Sequence, residues 1–359
     1  MTKKRVLLGM SGGIDSSLAA ILLIEQGYDV VGLTMKMWDN IEKDPRHKND
    51  GAHATDSVHE AKAVAEQLNI EHYTENIVHE FNQTVVCNFI DEYLNGKTPN
   101  PCVLCNTKIK WNILLRKAKE LNCEYIATGH YAQIIKSYSG YQLKRAKDKK
   151  KDQSYFLWGL TQDILKKTLL PLGQFTKDEI RKMAAEKGFV TLAEKKESQE
   201  ICFIPDNDYR KFLKNNAPET GKTGNGNFVS TSGKYLGKHE GYPFYTIGQR
   251  KGLKIALGEP MYVLNINAKN NEIVLGKRSD LYKHELRIRN FNLFEDIPEN
   301  SELEVTTKVR YKSEGIQSTL KIKGSEILVS FQKKVFAITP GQSAVFYKND
   351  ILLGGGIIV

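Results

Sequence analysis

Residues 7–16, LLGMSGGIDS, carry the strongest chemical signal in the chain. An apolar run, Val6 to Leu8, stops at a Ser-Gly-Gly turn, and apolar helical spacing resumes at Asp15. Glycines let a ligand approach the backbone, and the N–H groups that open a helix point at whatever sits above the strand. That combination is an anion site, most naturally for phosphate. The G-x-x-x-x-G-K-[ST] pattern of the other common phosphate loop is absent.

Sulfur supplies the second signal. The five cysteines are Cys87, Cys102, Cys105, Cys123 and Cys202, an odd count that argues against a disulfide framework. Cys102 and Cys105 lie in TPNPCVLCN (98–106), a stretch stiffened by two prolines. With a helix expected from about Thr107, Cys105 sits where a helix N-terminus favours the thiolate, and it reads as a nucleophile. A zinc half-site is the alternative, but a second Cys/His pair of local spacing is missing. Cys202, in ESQEICFIP (197–205), lies among polar residues and is a candidate for redox or sulfur chemistry. Cys87, in an amphipathic helical stretch from Phe81 to Leu94, and Cys123, opening an apolar strand, read as small buried hydrophobes.

The elements that must hold these residues alternate regularly in the first half. Strands are expected over 5–9, 29–35, 72–77 and 124–128, with helices over 15–26, 55–68, 80–94 and 108–121. Such alternation implies an α/β fold with a doubly wound parallel sheet. Ligands bind at the carboxyl ends of its strands. The loop at Ser11–Ser16, Met35 and the Gly129-His130 pair should therefore face one site. Beyond about residue 205, glycines and short strands take over, as in 261–266, 272–275, 305–311, 317–322 and 344–347. This predicts a small mixed or β central domain and a C-terminal β-barrel. The expected domains are 1–204, 205–277 and 278–359.

Bulk properties narrow the class. The chain has 359 residues, 40% apolar and 26% charged, as in ordinary globular proteins. No stretch approaches the ~18 apolar residues of a membrane span. The basic start, MTKKR, leads directly into the first strand, so a cytoplasmic location is expected and no secretory signal is read. Net charge is +10, and Lys144, Arg145, Lys147, Lys149, Lys150 and Lys151 cluster closely. Alone, such a run suits a solvated loop; beside a phosphate site and paired cysteines, it suits nucleic acid.

The motifs together resemble known proteins. SGGIDS is similar to the pyrophosphate loop of the N-type ATP pyrophosphatases, which adenylate a carbonyl oxygen. SGGIDS, TPNPCVLCN, ATGHYA (127–132), KDQSYFLWGL (151–160), ICFIP (201–205) and YTIGQRKGL (245–253) occur in this order. That set resembles the bacterial tRNA-specific 2-thiouridylase family along essentially the whole chain. The resemblance implies an adenine-nucleotide α-hydrolase-like fold of the N-type pyrophosphate-loop kind. It implies an enzyme, a tRNA-uridine 2-sulfurtransferase, that uses ATP and Mg2+ to adenylate the C2 oxygen of the wobble uridine and replaces it with sulfur.

Residue by residue, Gly9, Met10, Ser11, Gly12, Gly13, Ile14, Asp15 and Ser16 match the ATP loop, with Met35 and Gly129 at the adenine and ribose. Cys202 matches the cysteine that carries sulfur as a persulfide. Cys105 matches the nucleophile that helps release it, leaving a transient Cys105–Cys202 disulfide. Asn100, Pro101 and Cys102 match the segment lining the target base. His130, Lys151, Asp152, Gln153, Arg310, Tyr311 and Gln342 match positions that contact tRNA. Implied partners are tRNAs for Lys, Glu and Gln and a sulfur donor, either a cysteine desulfurase or a relay protein; a monomer is expected. Many family members carry Asp where this chain has Cys102. A thiol titrating near ~8.5 does not inherit a carboxylate's acid–base role. The change places three cysteines, 102, 105 and 202, as an alternative ligand set for an iron–sulfur cluster. A different adenylating enzyme of the same loop superfamily is the other alternative.

Overall fold

Val6, Leu7 and Leu8 are fully buried and form the central strand of a parallel sheet. The computed structural model describes residues 3–38, 54–138, 140–194, 201–204, 207–256 and 258–359. Residues 197–200 and 205 of the segment around Cys202 lie outside the described residues. So does most of the polar stretch after the second strand.

The chain begins with β1 (Arg5–Gly9), β2 (Asp29–Lys36), β3 (Glu71–Asn76) and β4 (Tyr125–Thr128). A hairpin, β5 (Ala132–Ser137) and β6 (Gly140–Arg145), and a short β7 (Thr168–Leu169) follow. The sheet order is β3-β2-β1-β4-β7, all parallel. Strands are added on one side of β1 and then on the other. The crevice between β1 and β4 is thus a topological switch point, where open parallel sheets bind ligands.

Two helices frame that crevice. Ile14–Glu25 is apolar on nearly every side, burying Leu18, Leu22 and Leu23 among others. Lys177–Glu186 begins with a capping box: Glu179 N–H donates to the Thr176 hydroxyl, and Thr176 N–H donates to the Glu179 carboxylate. Its Ile180 and Ala184 share a core cluster with Leu18 and Leu22 of the first helix.

Contacts divide the chain into two units. One comprises 1–85, 102–203 and 350–353; the other comprises 86–101, 204–349 and 354–359. In the second unit, Phe89 meets Phe212 edge-on at 5.9 Å and Tyr93 stacks on Tyr209 at 4.8 Å. Its first sheet holds β8 (Gly226–Ser230), β9 (Tyr235–His239), β10 (Tyr262–Asn267) and β11 (Glu272–Gly276), ordered β10-β11-β8-β9. Then come β12 (Tyr282–Leu293), β13 (Glu302–Lys308), β14 (Ile316–Lys323), β15 (Glu326–Phe336), β16 (Ser343–Lys348) and β17 (Ile351–Ile358). These run β12-β15-β14-β13-β16-β17, and β12 also pairs with β17, so the sheet closes into a six-stranded barrel. Closure needs glycine. A Cβ on Gly354, whose φ is +150°, would lie 2.2 Å from the Asn292 carbonyl oxygen, and one on Gly356 2.4 Å from Ile288.

The doubly wound sheet, mixed central region and terminal barrel agree with the sequence reading. Two details do not. Helix begins at Pro101, not near Thr107: Pro101–Cys105, a π-helical turn Asn106–Lys110, and Trp111–Glu120 run end to end. Proline suits a first helical position, where its missing N–H costs nothing. Cys87 is exposed rather than buried. Phe81, Val85, Phe89 and Tyr93 recur every four residues and form the buried stripe, which leaves Cys87 outside it.

His239 gives the second unit a pH-dependent stability. Its ring is 3% exposed, packs between Phe228 and Tyr245, and accepts the Gly241 N–H at Nδ1. Burial lowers its pKa to about 4. The unfolded chain protonates near ~6.5, so stability is full above that pH and falls as pH drops towards 4. Urea midpoints measured between pH 8 and pH 4.5 should show this decline, and His239→Gln should flatten it. An equal slope in the variant would remove His239 as its source.

Candidate active site

The turn after β1 is held by its own side chains. Ser11 N–H donates to the Ser16 hydroxyl at 3.1 Å, and the Ser16 and Ser17 hydroxyls each donate to the Gly13 carbonyl at 3.0 Å. Gly12 has φ +74°, and a Cβ there would lie 2.8 Å from the Ser57 carbonyl oxygen. Gly9, Met10, Ser11, Gly12, Gly13, Ile14, Asp15 and Ser16 thus make one continuous turn into the helix. Met35 lies near the carboxyl end of β2, and Gly129 follows β4. Gly129 approaches the turn closely: a Cβ would sit 3.0 Å from the Asp15 carbonyl carbon and from the Ser16 nitrogen. The Asp15 carboxylate accepts the Tyr131 hydroxyl at 2.6 Å and the Lys177 ammonium at 2.8 Å. Neither Tyr131 nor Lys177 was singled out from the sequence; no local motif links them to Asp15.

The sulfur residues gather around another residue not anticipated, Lys110. Cys102 is partly buried in the first turn of the Pro101–Cys105 helix, and Cys105 is buried at its end. Cys105 is therefore past the helix N-terminus, and a helix dipole does not explain its activation. Burial pushes the thiols of Cys102 and Cys105 up, and Lys110 draws both down. Cys202 is accessible to solvent yet set so deeply among protein atoms that burial pushes its thiol up to about 12, against the opposing pull of Lys110. Burial opposes the Lys110 charge too, but the three sulfurs outweigh it and leave its pKa raised. A cation shared by three thiols stabilises whichever becomes the thiolate. Lys110 falls five residues after Cys105, at the end of the π-helical segment.

His130 joins the two clusters. It follows Gly129, its ring lies 5.3 Å from Trp111, and its Nδ1 is 2.9 Å from the Thr128 hydroxyl. Burial and then the Lys110 charge lower its pKa to about 3, so it is a neutral imidazole at physiological pH. The KDQSYFLWGL segment positions the cysteine helix: Asn106 donates to the Phe156 carbonyl at 3.2 Å, and Gly159 leaves room for Thr107.

The residues matched to tRNA contact are placed as follows. Gln153 exchanges two hydrogen bonds with the Tyr131 backbone, at 2.7 and 2.8 Å. Asp152 is buried, and its carboxylate accepts from Ala146 N–H and from Ser154. Its side chain therefore shapes the loop. Lys151, adjoining it, is partly exposed. In the run of basic residues, Lys147 pairs with Glu179 and Lys149 with Asp350, each at 2.7 Å. In the second unit, Gln342 donates to the Thr98 and Pro99 carbonyls, which fixes the backbone leading to Asn100 and Pro101. Arg310 donates to the Ala337 carbonyl and the Thr339 hydroxyl, and Lys308 lies 5.8 Å from the Tyr311 ring.

Among the described residues, no three His, Cys, Asp or Glu side chains stand close enough to share a metal ion. Cys102, Cys105 and Cys202 thus do not make a ligand set for a single metal ion. Among the described residues no helix is long and apolar enough to cross a membrane.

Two outcomes follow. Lys110→Met should raise the pKa of the site thiols and slow their alkylation by iodoacetamide at pH 8 about tenfold, the effect of roughly one pKa unit; an unchanged rate would show that Lys110 does not tune them. Gly129→Ala should force the turn apart, at a cost of about 1–3 kcal/mol for overpacking, and raise the KM for ATP. An unaltered KM would show that the turn yields freely.

Three family models match in sequence: a tRNA methyl transferase HUP domain over residues 4–206, a tRNA methyl transferase PRC-barrel domain over 210–277, and an aminomethyltransferase β-barrel domain over 283–358. The tRNA-specific 2-thiouridylase MnmA of Amoebophilus asiaticus is 52% identical, covering 100% of this chain and 96% of its own. Those of Cytophaga hutchinsonii and Clostridium perfringens are 48% and 46% identical, each covering 100% of this chain, with 98% and 99% of their own. Identity at this level over the full length shows that the chain belongs to the tRNA-specific 2-thiouridylase family.

Proposed function

We propose that this chain is a tRNA sulfurtransferase that makes 2-thiouridine at the wobble position, with ATP as activating substrate. The observation that carries the reading is the tripeptide Gly129-His130-Tyr131. Its glycine packs on the nucleotide turn, its histidine faces Lys110 of the sulfur cluster, and its tyrosine binds Asp15. A nucleotide loop and a set of cysteines joined by three consecutive residues suit a reaction that activates oxygen and delivers sulfur to the same carbon. The family models are named for methyl transfer and the relatives for thiolation. Three thiols around one lysine favour thiolation.

In the proposed sequence, the C2 oxygen of the uridine attacks the α-phosphate of ATP, and pyrophosphate leaves. The base reaches this site flipped out of its stack, against Asn100, Pro101 and Cys102. Cys202 enters as a persulfide loaded by a sulfur donor, a cysteine desulfurase or a relay protein. Its outer sulfur attacks C2. The Cys105 thiolate, stabilised by Lys110, attacks the Cys202 Sγ; the persulfide bond breaks, and its electron pair stays with the transferred sulfur. AMP departs with the original oxygen. Two thiols have become a Cys105–Cys202 disulfide, and an external thiol reductant restores them. Cys102 carries no acid–base role here. Neutral His130 is suited to hydrogen bonding rather than to a charge contact. When bound, Mg2+ would neutralise negative charge on the pyrophosphate. With Asp15 held by Lys177 and Tyr131, the ion would arrive on the triphosphate, the usual habit of Mg2+.

We assign residues 1–204 to catalysis, and 205–277 and 278–359 to binding tRNA. Lys151, Gln153, Arg310, Tyr311 and Gln342 are the proposed tRNA contacts. The tRNAs for Lys, Glu and Gln are the proposed substrates of a cytoplasmic, monomeric enzyme.

The test is a reconstituted reaction with unmodified tRNA, ATP, Mg2+, cysteine and a cysteine desulfurase, followed by digestion and mass analysis of nucleosides. A 2-thiouridine product is expected, lost in Cys202→Ser and Cys105→Ser while tRNA binding persists. Activity that appears only after anaerobic cluster reconstitution would overturn the persulfide route. Pyrophosphate release without any need for tRNA would point to a different adenylating enzyme.

A further inference from the structure

Lys177 is 162 residues away from Asp15 in sequence, yet its ammonium bonds the carboxylate at 2.8 Å, with its side chain 6% exposed. The same ammonium lies 5.7 Å from the centre of the Tyr131 ring, whose hydroxyl also bonds Asp15. The base of the side chain is fixed. Lys177 N–H donates to the Asp148 carboxylate at 3.0 Å, and the helix it opens is capped by Thr176 and Glu179. A rigid base with a four-carbon arm allows the charged head to move without the helix moving.

The pair presents an electrostatic problem that its position solves. Asp15 lies in the first turn of the helix that follows the glycine turn. A triphosphate brought to that turn would confront a carboxylate at close range, and like charges there are costly in a partly buried site. An ammonium has three donors, so it can hold Asp15 and a phosphate oxygen at once. As a mere staple between two helices the pair would be redundant, since Leu18 and Ile180 already join the same core cluster. Apolar residues serve such stapling at least as well as buried ions do.

We propose that Lys177 is a phosphate-binding residue of the nucleotide site. It neutralises Asp15 before nucleotide arrives and extends to the β- and γ-phosphates, and then to pyrophosphate, when the triphosphate seats on the turn. This rests on the reading of residues 9–16 as an ATP loop. Lys177 supplies the positive charge that in other phosphate loops comes from a lysine within the loop itself.

The probe is inorganic pyrophosphate, titrated with Mg2+ into the full-length protein by calorimetry, alongside ATP-dependent pyrophosphate release with tRNA. Lys177→Met should fold with a lowered melting temperature, since Asp15 loses its partner, and bind tRNA normally. It should bind pyrophosphate at least tenfold more weakly and show a raised KM for ATP. Lys177→Arg should recover most of the affinity. Pyrophosphate affinity within twofold of wild type in Lys177→Met would overturn the proposal. Should that variant fail to fold, Asp15→Asn is compared with the double variant Asp15→Asn/Lys177→Met, which removes both charges together. Tenfold weaker pyrophosphate binding in the double variant than in the single supports the proposal, and equal binding refutes it. Wild-type protein that binds neither ATP nor pyrophosphate would defeat the ATP-loop reading, and this proposal with it.

Discussion

The missing Cβ of Gly129 permits a tight approach between two backbone segments of the first unit. It lets the end of β4 rest against the backbone of Asp15 and Ser16. The contacts of the next two residues follow from where it places the chain. Because Gly129 is so near the nucleotide turn, Tyr131 can reach Asp15, and Gln153 can grip the Tyr131 backbone from the next loop. His130, between them, is carried into the neighbourhood of Lys110 and Trp111. A larger residue at 129 would separate the two chemistries by prying apart the strand end and the helix start, which close-packed interiors resist.

The sulfur site balances two opposing demands. Sulfur carriers must be kept from adventitious oxidation, and burial of the thiols does this by holding them protonated. Transfer needs the thiolate, and Lys110 favours it. The result is a set of thiols that resist ionisation when idle yet have a counter-charge ready when one must ionise. Cys202 is more accessible to solvent than the other two, which suits its proposed role of taking up sulfur from a donor. A neutral His130 beside Lys110 avoids a second positive charge that would compete for the same sulfurs.

Much of this was legible in the linear sequence, and the omissions have a common cause. The central strand and glycine turn were visible because their residues are contiguous and apolar periodicity brackets them. The barrel was visible as repeated short strands. The start of the cysteine helix was misplaced because Pro99 and Pro101 read as loop residues, although proline is well suited to opening a helix. Cys87 was read as buried from its helix alone; the true buried stripe runs through Phe81, Val85, Phe89 and Tyr93. Lys110 and Lys177 were invisible as site residues because lysines are abundant in this chain. Only tertiary packing distinguishes a lysine among thiols, or a buried one on a half-buried carboxylate, from those in solvent.

Strand β17 divides its allegiance. Ile351 and Leu352 pair with β6 in the catalytic unit, whereas Gly354, Gly355, Ile357 and Ile358 pair with β12 to seal the barrel. The first pairing joins residues roughly 200 apart in sequence, a loop whose closure is entropically slow. Until it forms, β6 presents an open edge with unsatisfied backbone donors and acceptors, the kind of surface that recruits foreign strands. The first unit thus takes residues 350–353, which lie beyond almost all of the barrel in sequence, as part of its own structure. Cutting the chain at the apparent domain border near residue 205 would leave β6 as a nucleus for aggregation, not a miniature enzyme.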